Sequence, residues 1–157
     1  MLTTIQFYTP HRNSPFWVKL WYRWFKPRFT HCNLTFDDYV YDLGTGSPTV
    51  TELQEARQIR PRPVKYITMS LDLGHEDMWT LADLKAHNLR SAFRVLGIKW
   101  FRPVNCASFV SAIIQLDNPL FPTCYTPDEL ESAIERQQKA YPRLYQATTR
   151  VARRQGG

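Results

Sequence analysis

The 157-residue sequence has no apolar run approaching the ~20 residues that a membrane-spanning helix needs. Its opening, MLTTIQFYTP, has no basic stretch followed by an apolar one, so it does not read as a secretory leader. Both absences lead to the expectation of a cytoplasmic protein without a transmembrane segment, or one packaged by a route that needs no signal. Cysteine is scarce: Cys32, Cys106 and Cys124 are odd in number and form no CxxC pair. That excludes a zinc ribbon or a thioredoxin motif and makes reduced thiols the default. The His, Asp and Glu residues show no metal-ligand spacing, so neither a metal nor a cofactor is expected. Repeats, low-complexity segments and linkers are also missing. One domain over residues 1–157 is therefore expected, long enough to bury roughly two thirds of its unfolded surface.

Acidic residues are absent from both ends. Residues 1–36 carry five basic residues and residues 141–157 carry four, with no Asp or Glu in either segment. The remaining eleven basic and fourteen acidic residues make the middle slightly negative, so the ends supply the whole excess of +6. Such ends suit nucleic acid or an anionic membrane. No nucleic-acid-binding motif accompanies them, and TTRVARRQGG reads as a solvated basic tail at about 146–157, so nucleic acid is not an expected partner.

Aromatic residues are plentiful, at 14%, and apolar periodicity is clear. TIQFY reads as a strand ending at Pro10. Ser14 suits an N-cap and Pro15 a first helical position, and Trp17, Leu20, Trp21 and Trp24 then recur at helical spacing up to Pro27. This stripe predicts a core-facing side. Thr30 to Phe36 and Tyr39 to Leu43, joined by Asp37-Asp38, predict a hairpin. VTELQEARQ predicts a short helix capped by Thr51, and Val64 to Leu71 a strand. A long helix is expected over HEDMWTLADLKAHNLRSAFRVLG, with Leu81, Leu84, Leu89, Phe93 and Leu96 on its apolar face and Gly97 as its stop. Cys106 to Leu116 is apolar on most sides and predicts a central helix. The last helix is expected to start with Thr126 as N-cap, Pro127 next and Glu129 closing a capping box. The order predicts an α+β domain, with helices packed on a small antiparallel sheet.

Asn105-Cys106 at the head of the central helix raises the question of chemistry. A helix N-terminus favours a thiolate, although cysteine also packs well as a small apolar residue. A nucleophilic cysteine needs a base and a group that orients the base. Of His11, His31, His75 and His87, His31 alone begins a strand. Alternation across the hairpin brings Asp42 beside it on one face, where a carboxylate fixes the tautomer and stabilises an imidazolium. The Cys106 backbone N–H, unpaired at the helix start, would be an oxyanion donor, with Asn105 next to it. Cys32 is expected to point away from His31 and pack, while Cys124 is expected in a loop without a partner. NLT at 33–35 matches a glycosylation sequon but has no secretion signal to give it meaning.

The sequence NCASFV heading a buried helix, downstream of a histidine-led hairpin, resembles the circularly permuted NlpC-like papain fold. Relatives of lecithin:retinol acyltransferase and phage and bacterial proteins belong to that group. The likeness extends from about residue 3 to residue 120. Cys106, His31 and Asp42 fall on the family's cysteine, histidine and third polar residue, and Phe109-Val110 on its aromatic-aliphatic pair. Cys32-Asn33 after the histidine departs from the usual pattern. The resemblance implies a permuted papain-like fold and a cysteine hydrolase or acyltransferase acting on a peptide, isopeptide or lipid ester. The competing expectation is a catalytically inactive papain-fold module that binds a phage or host protein or builds a virion.

Overall fold

The computed structural model describes residues 2–10, 14, 16–44, 46–59, 62–74, 76–77, 80–81, 83–95, 98–142 and 148–151. His11, Pro15, His75, Leu96 and Gly97 lie outside these, as do residues 146, 147 and 152–157 of the expected tail and the side chain of Trp17. The described residues form an α+β structure of six strands and five helices. The strands are β1 (Leu2–Tyr8), β2 (His31–Phe36), β3 (Tyr39–Asp42), β4 (Thr49–Glu52), β5 (Lys65–Ser70) and β6 (Thr148–Val151). The helices are α1 (Phe16–Phe25), α2 (Leu53–Ile59), α3 (Asn88–Val95), α4 (Cys106–Asp117) and α5 (Pro127–Ala140). One antiparallel sheet runs in the order β4-β3-β2-β1-β5-β6.

Register explains the core. Phe7 pairs with Cys32, and Ile5 pairs with both Leu34 and Ile67, so alternation puts these residues on one face with Phe36 and Met69. All are buried in one cluster with Ala107, Phe109, Val110, Ile113 and Ile114 of α4 and Leu130, Ala133 and Ile134 of α5. Burying each large apolar side chain there contributes roughly 1.5–3 kcal/mol. The hairpin between β2 and β3 closes on Asp37, at φ 49°, a left-handed conformation that Asp tolerates better than most residues.

A polar clamp joins the sheet to α5. Asp128 accepts hydrogen bonds from the backbone N–H groups of Arg28 (2.9 Å) and Phe29 (3.0 Å). Buried Glu131 is held by Lys65 and, at 2.5 Å, by Arg28, while Lys65 also donates to Glu135 at 3.0 Å. A buried carboxylate is tolerated only while its cations remain. Lys65→Met is expected to cost about 3 kcal/mol by urea denaturation. Adding Glu131→Leu should recover most of that loss, and no recovery would mean that Lys65 acts through its packing instead.

Five expectations change. Thr49–Glu52 is an edge strand, with Thr49 paired to Asp42, and the helix begins only at Leu53. The β-branched run Thr49, Val50, Thr51 suits the pleated sheet better than a helix start. The long helix is broken, because Ala86 N–H donates to Gly46 O (2.9 Å) and His87 N–H to Val104 O (2.8 Å) rather than within a helix. α3 starts at Asn88 and leaves Leu89 exposed. The stripe on α1 is not core: Val18, Trp21 and Tyr22 are half-buried, whereas Phe16, Leu20 and Trp24 face solvent. The core face of the sheet is already filled by α4 and α5. Residues 148–151 of the expected tail pair with β5 as an edge strand. Finally, Thr126 Oγ1 caps α5 by accepting from Glu129 N–H at 3.2 Å, but the Glu129 carboxylate accepts from Tyr125 N–H rather than closing a box on Thr126. Among the described residues, no helix is long and apolar enough to cross a membrane.

Candidate active site

The N-terminus of α4 is fixed from both sides. Asn105 is extended (φ −152°, ψ −175°), and its Oδ1 accepts from Ser108 N–H at 3.0 Å. Ser108 Oγ in return accepts from Asn105 N–H at 2.8 Å, completing a capping box. The Asn105 amide nitrogen donates to Tyr125 O at 2.8 Å. With both ends of its amide engaged, Asn105 positions Cys106 and ties α4 to the segment before α5. Cys106 becomes the first helical residue, where its N–H has no acceptor within the helix and the macrodipole favours negative charge. Cys106 is nevertheless only 9% exposed.

His31 is the first residue of β2 and pairs with Tyr8 of β1. Continuing the pairing of Leu34 with Tyr41 by one step sets Asp42 across from Asn33, on the face that also carries His31. The ring Nε2 meets Asp42 Oδ1 at 2.8 Å. Asp42 is buried, and the His31 side chain keeps 32% of its surface in solvent. The Cys106 sulfur lies close enough to the histidine to favour its charged form, and Nδ1 is the ring nitrogen that Asp42 leaves open. The three residues named from the sequence are thus brought together at the end of the sheet where α4 begins.

The electrostatics favour an ion pair. Burial opposes a charge on His31, but the Cys106 sulfur and Asp42 outweigh it and raise the imidazole from 6.5 to about 10. Solvent at the exposed edge of the ring relieves part of that burial cost. The Cys106 thiol is held well below its usual range. A hydrogen bond from the Cys32 thiol is the leading cause, burial opposes it, and His31 and the Cys32 backbone N–H add to the lowering. Thiolate and imidazolium are the favoured pair, the state that a cysteine nucleophile needs.

Cys32 escaped the sequence reading in this role. Alternation correctly gives it the core face, where it is fully buried, but not its neighbour. Burial first, then its contact with the Cys106 sulfur, pushes the Cys32 thiol well up, so it stays a donor. Two further residues were missed. The Tyr8 ring lies against His31, centroids 5.9 Å apart, and its hydroxyl donates to Gln6 Oε1 at 2.6 Å while accepting from Asn33 Nδ2 at 3.0 Å. The signal was the strand pairing that sets Tyr8 opposite His31, and a single strand in isolation does not carry it. Asn33 is completely buried, which leaves the NLT sequon no access to a glycan.

The remaining candidates lie elsewhere. Cys124, expected in a loop without a partner, is buried; its N–H donates to Ser111 Oγ at 3.1 Å, and burial pushes its thiol up to about 11. His87 supports α3, its carbonyl accepting from Ser91 N–H at 2.9 Å. Among the described residues, no group of three or more His, Cys, Asp or Glu is arranged to hold a metal ion. Compared with known proteins, the chain matches no family model, no curated protein and no solved structure.

Proposed function

We propose that the protein is a cysteine-dependent hydrolase or acyltransferase on a permuted papain-like fold, acting on an amide, isopeptide or ester bond. The observation that carries the reading is the grouping of Asp42, His31 and Cys106, with Nε2 2.8 Å from the carboxylate and the Cys106 sulfur near enough to the ring to favour its charged form. The Cys106 thiolate attacks the carbonyl carbon, forming a C–S bond while the carbonyl π electrons move to oxygen. The Cys106 backbone N–H stabilises that oxyanion. Collapse expels the amine or alkoxide, which takes its proton from His31, and leaves a thioester. His31 then removes a proton from water or from an acceptor hydroxyl or amine as it attacks the thioester. The acyl group leaves, and the thiolate–imidazolium pair returns. Cell-wall peptides, isopeptides and lipid esters come from the resemblance, as does a phage or bacterial setting.

The test is acyl-enzyme trapping with a p-nitrophenyl ester, followed by intact-mass and peptide mass spectrometry. One acyl group on Cys106, released on standing, is expected. The absence of an adduct, or an adduct shared with Cys124, removes the proposal. The small exposure of Cys106 favours a second reading, a catalytically inactive binding or virion-structural module of the same fold. That reading expects no adduct at Cys106 in the folded protein.

A further inference from the structure

α1 leaves a row of large apolar side chains uncovered. Phe16, Leu20 and Trp24 are 77%, 42% and 75% exposed, and their spacing of four sets them in one row along the helix. Lys19 and Arg23, each three positions after a member of that row and four apart from each other, form a basic row directly beside it. The helix is seated on the rest of the molecule through Val18, Trp21 and Tyr22, which are half-buried and share another side. Lys26 follows, exposed, just past the last turn. Arg28 is engaged by Glu131 and does not join this row.

We propose that α1 docks the protein on an anionic lipid bilayer, lying in the plane of the headgroups. A helix with Phe, Leu and Trp on one side and Lys and Arg at its edge suits the boundary between acyl chains and phosphate. Trp24 and Phe16 reach the apolar layer, and Lys19, Arg23 and Lys26 stay level with the phosphates. Charge selects this occupant over a second copy of the chain. Residues 1–36 hold five basic residues and no acidic one, so two such faces would press like charges together. Tyr8 and His31 are paired neighbours, and α1 lies in the connection between them, so it emerges at the end of the sheet that carries His31. The proposal concerns the surface alone and does not depend on the chemistry of Cys106.

Flotation of the full chain with phosphatidylcholine vesicles, with and without phosphatidylglycerol, tests it. Partition into the phosphatidylglycerol vesicles is expected, weakening as salt rises. Phe16→Ser/Leu20→Ser/Trp24→Ser should lower the partition coefficient about 100-fold, since it strips the apolar row. Lys19→Gln/Arg23→Gln should lower it roughly 25-fold, about fivefold for each charge removed. All five side chains are outward, and an unchanged thermal melt will confirm that both variants fold. Equal partition into neutral and anionic vesicles, or none into either, overturns the proposal. So does a wild-type dimer in light scattering that the triple variant dissolves, or binding to single-stranded DNA without binding to vesicles.

Discussion

His31→Ala is expected to slow iodoacetamide labelling of Cys106 at pH 6 by about 30-fold. An ordinary thiol is only about 0.3% ionised there, whereas one paired with an imidazolium is ionised throughout. The low-pKa thiolate is intrinsically the weaker nucleophile, which takes back part of that factor and leaves a change of this size. In the wild type the rate should stay flat from neutrality into the acid range and fall only where the thiolate itself is protonated. In the variant the rise with pH should move toward the range of a free thiol without reaching it, because the Cys32 hydrogen bond remains. Cys32 is the internal control: fully buried, with its thiol pushed well up, it should label only on unfolding. If Cys106 also waits for unfolding in the wild type, the thiol is core packing and the catalytic reading fails.

The same pair makes a statement about stability. The stabilisation from His31, whose pKa is raised, is complete below 6.5 and is lost as pH climbs through about 10. That from Cys106, whose pKa is lowered, is complete above 9.0 and is lost as pH falls through its native value. Between 6.5 and 9.0 one contribution declines as the other grows. The native ion pair and the unfolded neutral pair then hold the same number of protons. The pair's share of stability is therefore level across neutrality and falls on both sides.

What the sequence made legible was local. The hairpin from His31 to Asp42 depends on short strand-forming runs and an Asp37-Asp38 turn, and those fix which residues share a face. The placement of Cys106 depends on one cap, Asn105, adjacent to it in the chain. The Cys32–Cys106 contact was not legible, because alternation assigns a face and says nothing of what packs on it. The break before Asn88 rests on Gly46 O and Val104 O, acceptors far away along the chain. Apolar periodicity over Phe16–Phe25 identified a helix, but it cannot tell a core-facing stripe from one left for another surface. The edge strand β6 has no apolar pattern of its own and is placed by β5.

Asp42→Asn is expected to lower kcat for the ester that acylates Cys106 by roughly 10³-fold or more while leaving the fold intact. The substitution keeps the size and shape of a side chain already buried at the end of β3. It removes the negative charge 2.8 Å from Nε2, and the amide can donate to that nitrogen as readily as accept from it. Both effects act on the step in which His31 must carry a proton. The imidazolium loses a partner that raises its pKa, so the alkaline limb of the pH–rate profile should move down from near 10. The ring is also free to take the tautomer that places its proton toward the wrong neighbour. KM should change far less than kcat, because Asp42 lies behind the histidine and not beside the attacked carbonyl. Labelling of Cys106 should slow less than in His31→Ala, since the imidazole remains. A kcat within twofold of wild type, with the alkaline limb unmoved, would reduce Asp42 to the residue that ends β3 and leave Cys106 and His31 to act as a dyad.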